Sequence, residues 1–337
     1  MPQPDAPTVP ALAPAAQPRR VMLLGATGSI GRATVRELLR RGHQVACFVR
    51  PGSSGLARLP GGVDLRLGEI TEPGAFSREG LRGERFDVVL SCLASRTGAP
   101  RDAWAIDHDA HLCALEAARQ AGVAHFILLS AICVQKPQLA FQHAKLAFER
   151  ALADSGLAWT IVRPTAFFKS LSGQVERVRG GRPFLVFGDG TLTACKPISD
   201  ADLAAFLADC IDDPARYNRI LPIGGAGPAI TPRAQGEMLF ELTGMRPRFR
   251  QVPVAMLDAI IAVLALLGRV VPSLADTAEL ARIGRYYATE SMLVLDPATQ
   301  RYDAEATPST GTETLREHYA RILRGEVGDQ RGDHAVF

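Results

Sequence analysis

Near its N-terminus the chain reads Val21-Met22-Leu23-Leu24-Gly25-Ala26-Thr27-Gly28-Ser29-Ile30-Gly31. Four apolar residues predict a short buried strand, and the glycines that follow, spaced GxxGxxG, predict a tight turn into a helix. Such a turn brings backbone N–H groups and the positive end of a helix dipole to one point, which suits a pyrophosphate. A helical run over 32–41 and a second strand over 44–49 complete the context that the motif requires. Rather than a plain structural turn, we therefore predict a dinucleotide site that includes Gly25, Thr27, Gly28, Ser29, Ile30 and Gly31.

The end of the second predicted strand bears on which dinucleotide is bound. An NAD site usually has Asp or Glu about 20 residues after the glycines, where it holds the ribose 2′-hydroxyl. This chain has no carboxylate there and instead reads Arg50-Pro51-Gly52-Ser53-Ser54. A guanidinium pairs well with a 2′-phosphate, so we expect Arg50 and Ser53 to select NADPH, with Arg32 within reach of the same phosphate. The alternative is that Arg50 is a solvated loop charge.

The composition narrows the class of protein further. The chain has 337 residues and a net charge of +3, with its basic residues dispersed, whereas a nucleic-acid-binding surface needs clustered basic residues. Its six cysteines form no CxxC pair and show no metal-ligand spacing. Unpaired cysteines in apolar runs are typical of a reducing compartment. We therefore expect a cytoplasmic protein with no nucleic-acid partner and no metal site.

Strands and helices alternate along the first half of the chain. After the two strands already named, the sequence predicts strands over 64–67, 87–92, 125–130 and 159–163, and helices over 107–120 and 142–155. This alternation predicts an α/β fold with a doubly wound parallel sheet of the Rossmann type. Ligands on such sheets lie beyond the carboxyl ends of the strands.

Three parts of the sequence resemble a known family. They are Leu128-Leu129-Ser130-Ala131-Ile132-Cys133-Val134-Gln135-Lys136-Pro137 with Phe141-Gln142-His143-Ala144-Lys145-Leu146-Ala147-Phe148-Glu149, Arg163-Pro164-Thr165-Ala166-Phe167-Phe168-Lys169-Ser170-Leu171, and Phe187-Gly188-Asp189-Gly190. With the glycine turn, they resemble the atypical branch of the short-chain dehydrogenase/reductase superfamily, and within it the 3,8-divinyl (proto)chlorophyllide 8-vinyl reductases. The resemblance runs from about Arg20 to about Arg324. It implies NADPH-dependent reduction of the C8 vinyl group of a tetrapyrrole, divinyl chlorophyllide or protochlorophyllide, to ethyl in (bacterio)chlorophyll biosynthesis.

The same resemblance implies the active-site positions. Members of the superfamily carry Tyr-x-x-x-Lys on one helix, so that both side chains point at the nicotinamide, and this chain has Phe141 and Lys145 there. We expect Lys145 to be catalytic: it would bind the nicotinamide ribose and place positive charge near the developing anion. A surface lysine beside Glu149 is the alternative. Phe141 removes the phenol that protonates a carbonyl oxygen, which disfavours an alcohol or ketone dehydrogenase and is compatible with reduction of a C=C bond.

Further candidates lie at other strand ends. Ser130 stands where the superfamily often has a catalytic serine, although serines there also simply end strands. Pro164 and Thr165 resemble the segment whose backbone meets the nicotinamide carboxamide, so we expect all three residues to contact the cofactor. No proton donor is assigned, because three residues nearby are equally explained by packing or solvation: Cys133, His143 and Lys169.

Composition and resemblance together divide the chain. We expect a disordered, Pro- and Ala-rich arm over 1–18 and an NADP-binding Rossmann domain over 19–165. A smaller C-terminal substrate lobe would follow over 166–325, with 198–212 packing back on the Rossmann domain by family analogy. Residues 326–337 would form a loose tail.

An apolar run in the C-terminal lobe permits three interpretations. Residues 255–267 are apolar on nearly every face, with Asp258 within them and Arg269 after them. This leaves too little for a transmembrane helix of about 20 residues. The run is a core helix, a wall for a flat tetrapyrrole, or a peripheral contact with a photosynthetic membrane. The sequence indicates no oligomeric state.

Three other functions stay open on the sequence. An NADP(H)-sensing regulatory protein of the same branch would bind the nucleotide without turnover, which Phe141 allows and Lys145 disfavours. An assembly subunit would often lose the glycine motif, which is intact here. A C=C reductase of another conjugated substrate, such as a quinone or an isoflavonoid, would share every cofactor residue.

Overall fold

A computed structural model describes residues 17–327, apart from the side chains of Pro272 and Ser273. The predicted arm over 1–18 and the predicted tail over 326–337 lie outside the described residues, except for 17–18 and 326–327. The strands are β1 (Arg20–Leu24), β2 (Gln44–Val49), β3 (Asp64–Leu67), β4 (Val88–Ser91), β5 (His125–Leu129), β6 (Ala158–Pro164), β7 (Phe184–Phe187), β8 (Arg219–Ile223), β9 (Phe249–Val252), β10 (Val294–Leu295) and β11 (Tyr302–Asp303).

The helices surround and extend this set of strands. They are α1 (Ser29–Arg40), α2 (Pro100–Ala103), α3 (His111–Gln120), α4 (Ala140–Ala153), α5 (Phe168–Leu171), α6 (Val175–Arg179), α7 (Asp200–Asp212), α8 (Pro232–Thr243), α9 (Val254–Leu267), α10 (Pro272–Thr289) and α11 (Leu315–Leu323). Short 3₁₀ turns cover Leu56–Arg58, Ile132–Gln135, Ser172–Gln174 and Pro214–Arg216, and π-helical stretches cover Phe76–Leu81 and Trp104–Ala110.

Seven strands form one sheet in the order β3-β2-β1-β4-β5-β6-β8, and every neighbouring pair is parallel. In β1, Val21 and Leu23 join the core on the α1 and α7 side, whereas Met22 and Leu24 join the core on the α3 and α4 side. Alternate residues of a strand point to opposite faces, so one continuous apolar run serves two cores. This arrangement confirms the predicted α/β doubly wound sheet.

The helix predicted over 107–120 begins earlier and is irregular. It starts at Pro100 and runs through α2, the π-helical stretch Trp104–Ala110 and α3. Proline suits the first turn of a helix because its missing N–H would have no partner there. The π-helical stretch leaves Asp107 buried, with 1% of its surface exposed. Single π turns in helices are frequently associated with functional sites.

After β6 the chain leaves the sheet and then returns to it. Helix α7 packs against α1, and β8 extends the sheet beside β6. The Ser199 hydroxyl caps α7 by accepting a hydrogen bond from the Asp202 N–H at 3.0 Å. A separate apolar core joins α5, α6, α8 and α11 to β7. The division of the chain at residue 165 stays a prediction.

Helix α9 packs against α10 and is otherwise exposed. None of its residues is buried, and Val263 and Leu266 are 57% and 61% exposed. Its one charged residue, Asp258, pairs with Arg285 of α10. The interpretation of this run as a core helix is therefore wrong, because its apolar surface is largely uncovered. Among residues 17–327, no helix combines the length and hydropathy that a membrane span requires.

Candidate active site

The three glycines of the β1–α1 turn are required for different reasons. Gly25 has a φ of +74°, and a Cβ there would lie 2.5 Å from the Cys92 carbonyl carbon after β4. On Gly31, a Cβ would overlap the Gly25 carbonyl oxygen. A Cβ on Gly28 would meet nothing nearer than 3.5 Å, so packing within the protein does not demand a glycine there. The bare backbone of Gly28, which is the N-cap of α1, fits the close approach of a pyrophosphate.

A lysine that follows β6 in the chain reaches the N-terminal end of α1. Lys169, in α5, donates from Nζ to Ser29 Oγ at 2.7 Å, in the first turn of α1. Burial lowers the pKa of the Lys169 ammonium, and Asp200 partly offsets this effect. A cation here adds to the positive end of the helix dipole. Lys169, to which the sequence assigned no role, is therefore a candidate ligand of the pyrophosphate together with Ser29.

The loop after β2 packs against the glycine turn. Gly55 lies so near Thr27 that a Cβ on Gly55 would come within 2.6 Å of the Thr27 carbonyl oxygen. The loop that carries Arg50 and Ser53 is thereby held beside the turn, and Arg50 is exposed. The structure therefore brings the two residues expected at the 2′-phosphate to the end of the sheet that carries the glycines.

Several arginines lie near the glycine turn and the loop after β2. Arg32 of α1 donates to the Thr27 carbonyl. Burial lowers the pKa of Arg32, and the nearby Arg58 and Arg36 lower it further. Like charges held close together favour the binding of an anion, which relieves their repulsion. Arg58 therefore joins Arg32 and Arg50 as a candidate for the 2′-phosphate, although no motif in the sequence pointed to it.

Lys145 belongs to a buried ion pair. Its side chain is 11% exposed, and its Nζ lies 2.8 Å from Oδ1 of Asp107, whose side chain is fully buried. Asp107 also accepts from the Ser95 N–H at 3.2 Å and from the Ser95 hydroxyl at 2.6 Å. The alternative of a solvated lysine beside Glu149 is therefore wrong, since Asp107 holds the ammonium in one place.

Nothing in the sequence singles out Asp107, because an aspartate at a predicted helix start is an ordinary capping residue. The same region carries a buried histidine. His111 Nδ1 donates to the Ile106 carbonyl at 2.8 Å, so Nε2 accepts from the Ser91 hydroxyl, also at 2.8 Å. Burial, followed by Lys145, lowers the pKa of His111 to about 4. The imidazole is therefore neutral at physiological pH and acts as a support for the π-helical stretch.

Ser130 makes its hydrogen bond within the protein. The residue is buried, and its hydroxyl donates to Glu149 Oε1 at 2.5 Å. Glu149 in turn pairs with Arg163 of β6. For this hydroxyl to contact the nicotinamide, its hydrogen bond to Glu149 would have to break. The cofactor role of Ser130 therefore stays a prediction.

The end of β6 joins the sheet to the returning chain. Pro164 is the last residue of β6. The Thr165 N–H donates to the Ile223 carbonyl at 2.9 Å, and its hydroxyl donates to the Lys196 carbonyl. The polar hydrogens of Thr165 are thus used inside the protein, and a cofactor contact by Pro164 and Thr165 stays a prediction.

Phe141 is part of an apolar wall between α4 and α10. It is 9% exposed and shares a cluster with Cys133 and Ile283. Gly98 lies in the same wall, since a Cβ there would be 2.9 Å from Ile283 Cδ1 and 3.5 Å from Phe141 Cδ1. His143, one of the weaker candidates, is exposed on α4. An aromatic and aliphatic wall of this kind suits a flat conjugated substrate.

Comparison with known proteins agrees with this geometry. A model of the NAD(P)H-binding family matches residues 25–214. The protein named divinyl chlorophyllide a 8-vinyl-reductase, chloroplastic, from Oryza sativa subsp. indica is 51% identical, over 97% of this chain and 86% of its own length. Its namesake from Zea mays is 49% identical, over 97% of this chain and 87% of its own length.

Solved structures show the same fold at much lower identity. The binary complex of leucoanthocyanidin reductase and NADPH from Vitis vinifera aligns with a TM-score of 0.66 at 16% identity, covering 90% of this chain and 99% of that chain. Such a likeness supports the fold and leaves substrate choice to the residues of the site.

Proposed function

Because the chain belongs to the divinyl chlorophyllide a 8-vinyl-reductase family, we propose that it reduces the 8-vinyl group of divinyl chlorophyllide or protochlorophyllide to ethyl with NADPH. It is an oxidoreductase of chlorophyll biosynthesis with an NAD(P)H-binding domain. The observation that carries the proposal is the extent of the likeness, which includes the C-terminal segment as well as the nucleotide-binding fold. A shared nucleotide fold alone would not indicate the substrate.

The residues around the glycine turn fit NADPH. When bound, NADPH supplies the hydride for the reduction. Gly28 leaves space beside the α1 N-terminus, and Lys169 and Ser29 offer polar groups to the pyrophosphate. Arg50 and Arg58 offer charge to the 2′-phosphate, where a carboxylate would repel it.

Lys145 and Phe141 suit the reduction of a C=C bond. Addition of hydride to a vinyl group leaves negative charge on carbon, delocalised into the macrocycle. Asp107 holds the Lys145 ammonium in a largely buried place, where positive charge stabilises a developing anion more strongly than it does in water. No carbonyl oxygen needs a proton in this reaction, so an apolar Phe141 at the usual tyrosine position is compatible with it.

Anaerobic incubation with NADPH and divinyl chlorophyllide tests this function. The Soret band should shift to the blue as the conjugated vinyl group becomes ethyl, and one NADPH should be consumed for each ethyl product. A protein that binds NADPH and leaves the pigment unchanged would instead support the nucleotide-sensing alternative.

We also propose that α9 lies on a lipid surface. Its exposed residues Met256, Ile260 and Val263 recur at the spacing of one helix face. Exposed basic residues stand at both of its ends, Arg250 before it and Arg269 after it. Apolar side chains bordered by arginines suit the interface of a membrane with anionic headgroups. The protein would then be peripheral to a photosynthetic membrane, and a cytoplasmic location stays a prediction.

A further inference from the structure

Tyr287 differs from the other tyrosines in how its hydroxyl is bonded. All five tyrosines of the chain lie within the described residues. Four hydroxyls donate to carbonyl or carboxylate oxygens at 2.7–2.9 Å, namely those of Tyr217, Tyr286, Tyr302 and Tyr319. For Tyr287, the hydrogen-bonding neighbour among residues 17–327 is the Cys133 thiol, with Oη 3.9 Å from Sγ. A thiol is a weak partner, so this hydroxyl is the least strongly hydrogen-bonded of the five.

Tyr287 lies on the face of α10 that packs toward α4. Ile283, one turn earlier on α10, contacts the wall beside Gly98 and Phe141. Tyr287 itself is partly buried against the same apolar cluster and reaches Cys133, in the segment just after β5. Helix α4 has no phenol at the Phe141 position. Helix α10 supplies one, Tyr287, to the same apolar wall.

Lys145 lies near the same point. Burial raises the pKa of the Cys133 thiol, whereas the Tyr287 hydroxyl and the Lys145 ammonium oppose that effect. Both groups therefore lie within electrostatic range of one sulfur atom. Phe141 and Lys145 are one turn apart on α4 and so share a face of that helix. The cation expected to stabilise the developing anion is therefore carried by the same helix face as the wall residue Phe141, which shares an apolar cluster with Tyr287.

The surroundings keep Tyr287 protonated. Burial raises the pKa of its phenol well above the ordinary value, and Cys133 and Tyr286 act in the same direction. Its titratable neighbours are Cys133 from the segment after β5 and Tyr286 on its own helix. A neutral phenol can still donate to a carbanion, because the carbanion is a far stronger base.

We propose that Tyr287 is the proton donor in the reduction of the vinyl group, an inference that rests on the proposed function. The terminal vinyl carbon takes up the hydride and forms a C–H bond, and the electron pair of the former double bond is left on the inner carbon. The O–H bond of Tyr287 breaks, its proton bonds to that carbon, and its electron pair stays on the phenolate. The phenolate regains a proton from water before the next turnover.

Tyr287→Phe removes the hydroxyl and keeps the ring in the wall. We expect kcat to fall about 10²- to 10⁴-fold, as for loss of a general acid, with the melting temperature and the Kd for NADPH close to those of the parent. Tyr217→Phe is the matched control, because its hydroxyl donates to the Ile211 carbonyl far from the wall. Its kcat should stay within about threefold of the parent value.

A second readout separates proton donation from packing. In D₂O with unlabelled NADPH, the parent should place one deuterium on one face of the ethyl methylene, which NMR of the product resolves. Residual turnover by Tyr287→Phe should label both faces, because water then supplies the deuteron. A fluorinated tyrosine at position 287 is a stronger acid, so it should change kcat and its solvent deuterium isotope effect at neutral pH.

The results of these experiments separate the role of Tyr287 from the reductase function itself. A Tyr287→Phe enzyme with kcat within threefold of the parent and single-face labelling overturns the role of Tyr287 and leaves the reductase function standing. If this variant does not fold, a fluorotyrosine enzyme with the kcat and solvent isotope effect of the parent overturns the role instead. A parent protein that leaves the vinyl group unreduced overturns the proposed function and this inference together.

Discussion

Arg50 is the residue through which the cofactor preference is most directly tested. Because a charged hydrogen bond to the 2′-phosphate would be lost, Arg50→Ala should weaken NADPH binding by about 1.5–3 kcal/mol, on the order of ten- to a hundredfold in Kd. NADH carries no 2′-phosphate, so its affinity should not change. Fluorescence titration of both cofactors measures the difference.

Arg40→Ala is the matched control for Arg50, since Arg40 is an exposed arginine of α1 that pairs with Glu37. It should bind both cofactors as the parent does. Equal NADPH affinity in the parent and in Arg50→Ala would remove Arg50 from the site and leave the phosphate to Arg32 and Arg58.

Lys145 combines a proposed role in the reaction with a role in stability. Lys145→Met should lower kcat about 10²- to 10³-fold, the usual effect of losing one stabilising group at a developing anion. It should also lower the free energy of unfolding, because Asp107 would remain buried without its cation; such losses are about 3–5 kcal/mol. The two hydrogen bonds from Ser95 to Asp107 should moderate this cost.

The double variant Lys145→Met with Asp107→Asn separates these two effects. It removes both charges, so we expect urea unfolding to show recovered stability while kcat stays low. Parent-like turnover in either variant would leave Lys145 with a structural role alone.

At the scale of elements, two buried histidines stand at the starts of α3 and β5. Burial lowers the pKa of His111 and of His125 to about 4. An exposed histidine has a pKa of about 6.5, so below that pH the unfolded chain binds protons that the folded chain does not. The free energy of unfolding should therefore fall as pH decreases from about 6.5 to 4, by up to about 1.4 kcal/mol per pH unit for each histidine.

Urea unfolding at several pH values between 7.5 and 4.5 measures this slope. Burial also lowers the pKa of His43 and of His318, so the parent slope has more than two contributions. His125→Phe should make the slope smaller, whereas His143→Ala, an exposed histidine on α4, should leave it unchanged. Stability that stays constant from pH 7 to pH 5 would contradict the prediction.

At the scale of the whole molecule, α10 separates two surfaces of different character. Its Tyr287 and Ile283 face the wall that contains Phe141. Its other neighbour is α9, to which Arg285 is paired through Asp258. A single helix pair therefore lies between the proposed pigment site and the proposed lipid-facing surface.

Sedimentation with lipid vesicles tests the lipid-facing surface. Val263→Ser combined with Leu266→Ser should reduce binding to anionic vesicles on the order of tenfold or more, because apolar area buried in the interface is lost. Both residues are exposed, so the melting temperature and kcat with dispersed substrate should not change.

Leu192→Ser is the matched control for these vesicle measurements. Leu192 is another exposed leucine, 51% accessible, and lies outside α9. Its variant should bind vesicles as the parent does. A parent protein that does not bind anionic vesicles, or a double variant that binds equally well, would contradict the proposed contact.

Local patterns in the sequence determined the sheet and the nucleotide turn. The strands β1, β2, β4 and β5 consist largely of consecutive apolar residues, and that pattern indicates burial on both faces whatever the rest of the chain does. The glycine turn could also be predicted from the sequence, because its requirements are local. The positive φ of Gly25 and the close contact of Gly31 with the Gly25 carbonyl both arise within the turn itself. The active-site position of Lys145 was implied by the resemblance to the Tyr-x-x-x-Lys pattern of the superfamily.

The tertiary structure alone decided which side chains meet. Lys169 and Ser29 are 140 residues apart, Lys145 and Asp107 are 38 apart, and Tyr287 and Cys133 are 154 apart. Hydrophobic periodicity and capping signals describe neighbours along the chain, whereas these contacts depend on strand order and on how α5 packs against α1 and α10 against the segment after β5. The same limit applied to α9, whose apolar sequence is compatible with a core helix and whose exposure followed from having α10 as its main neighbour.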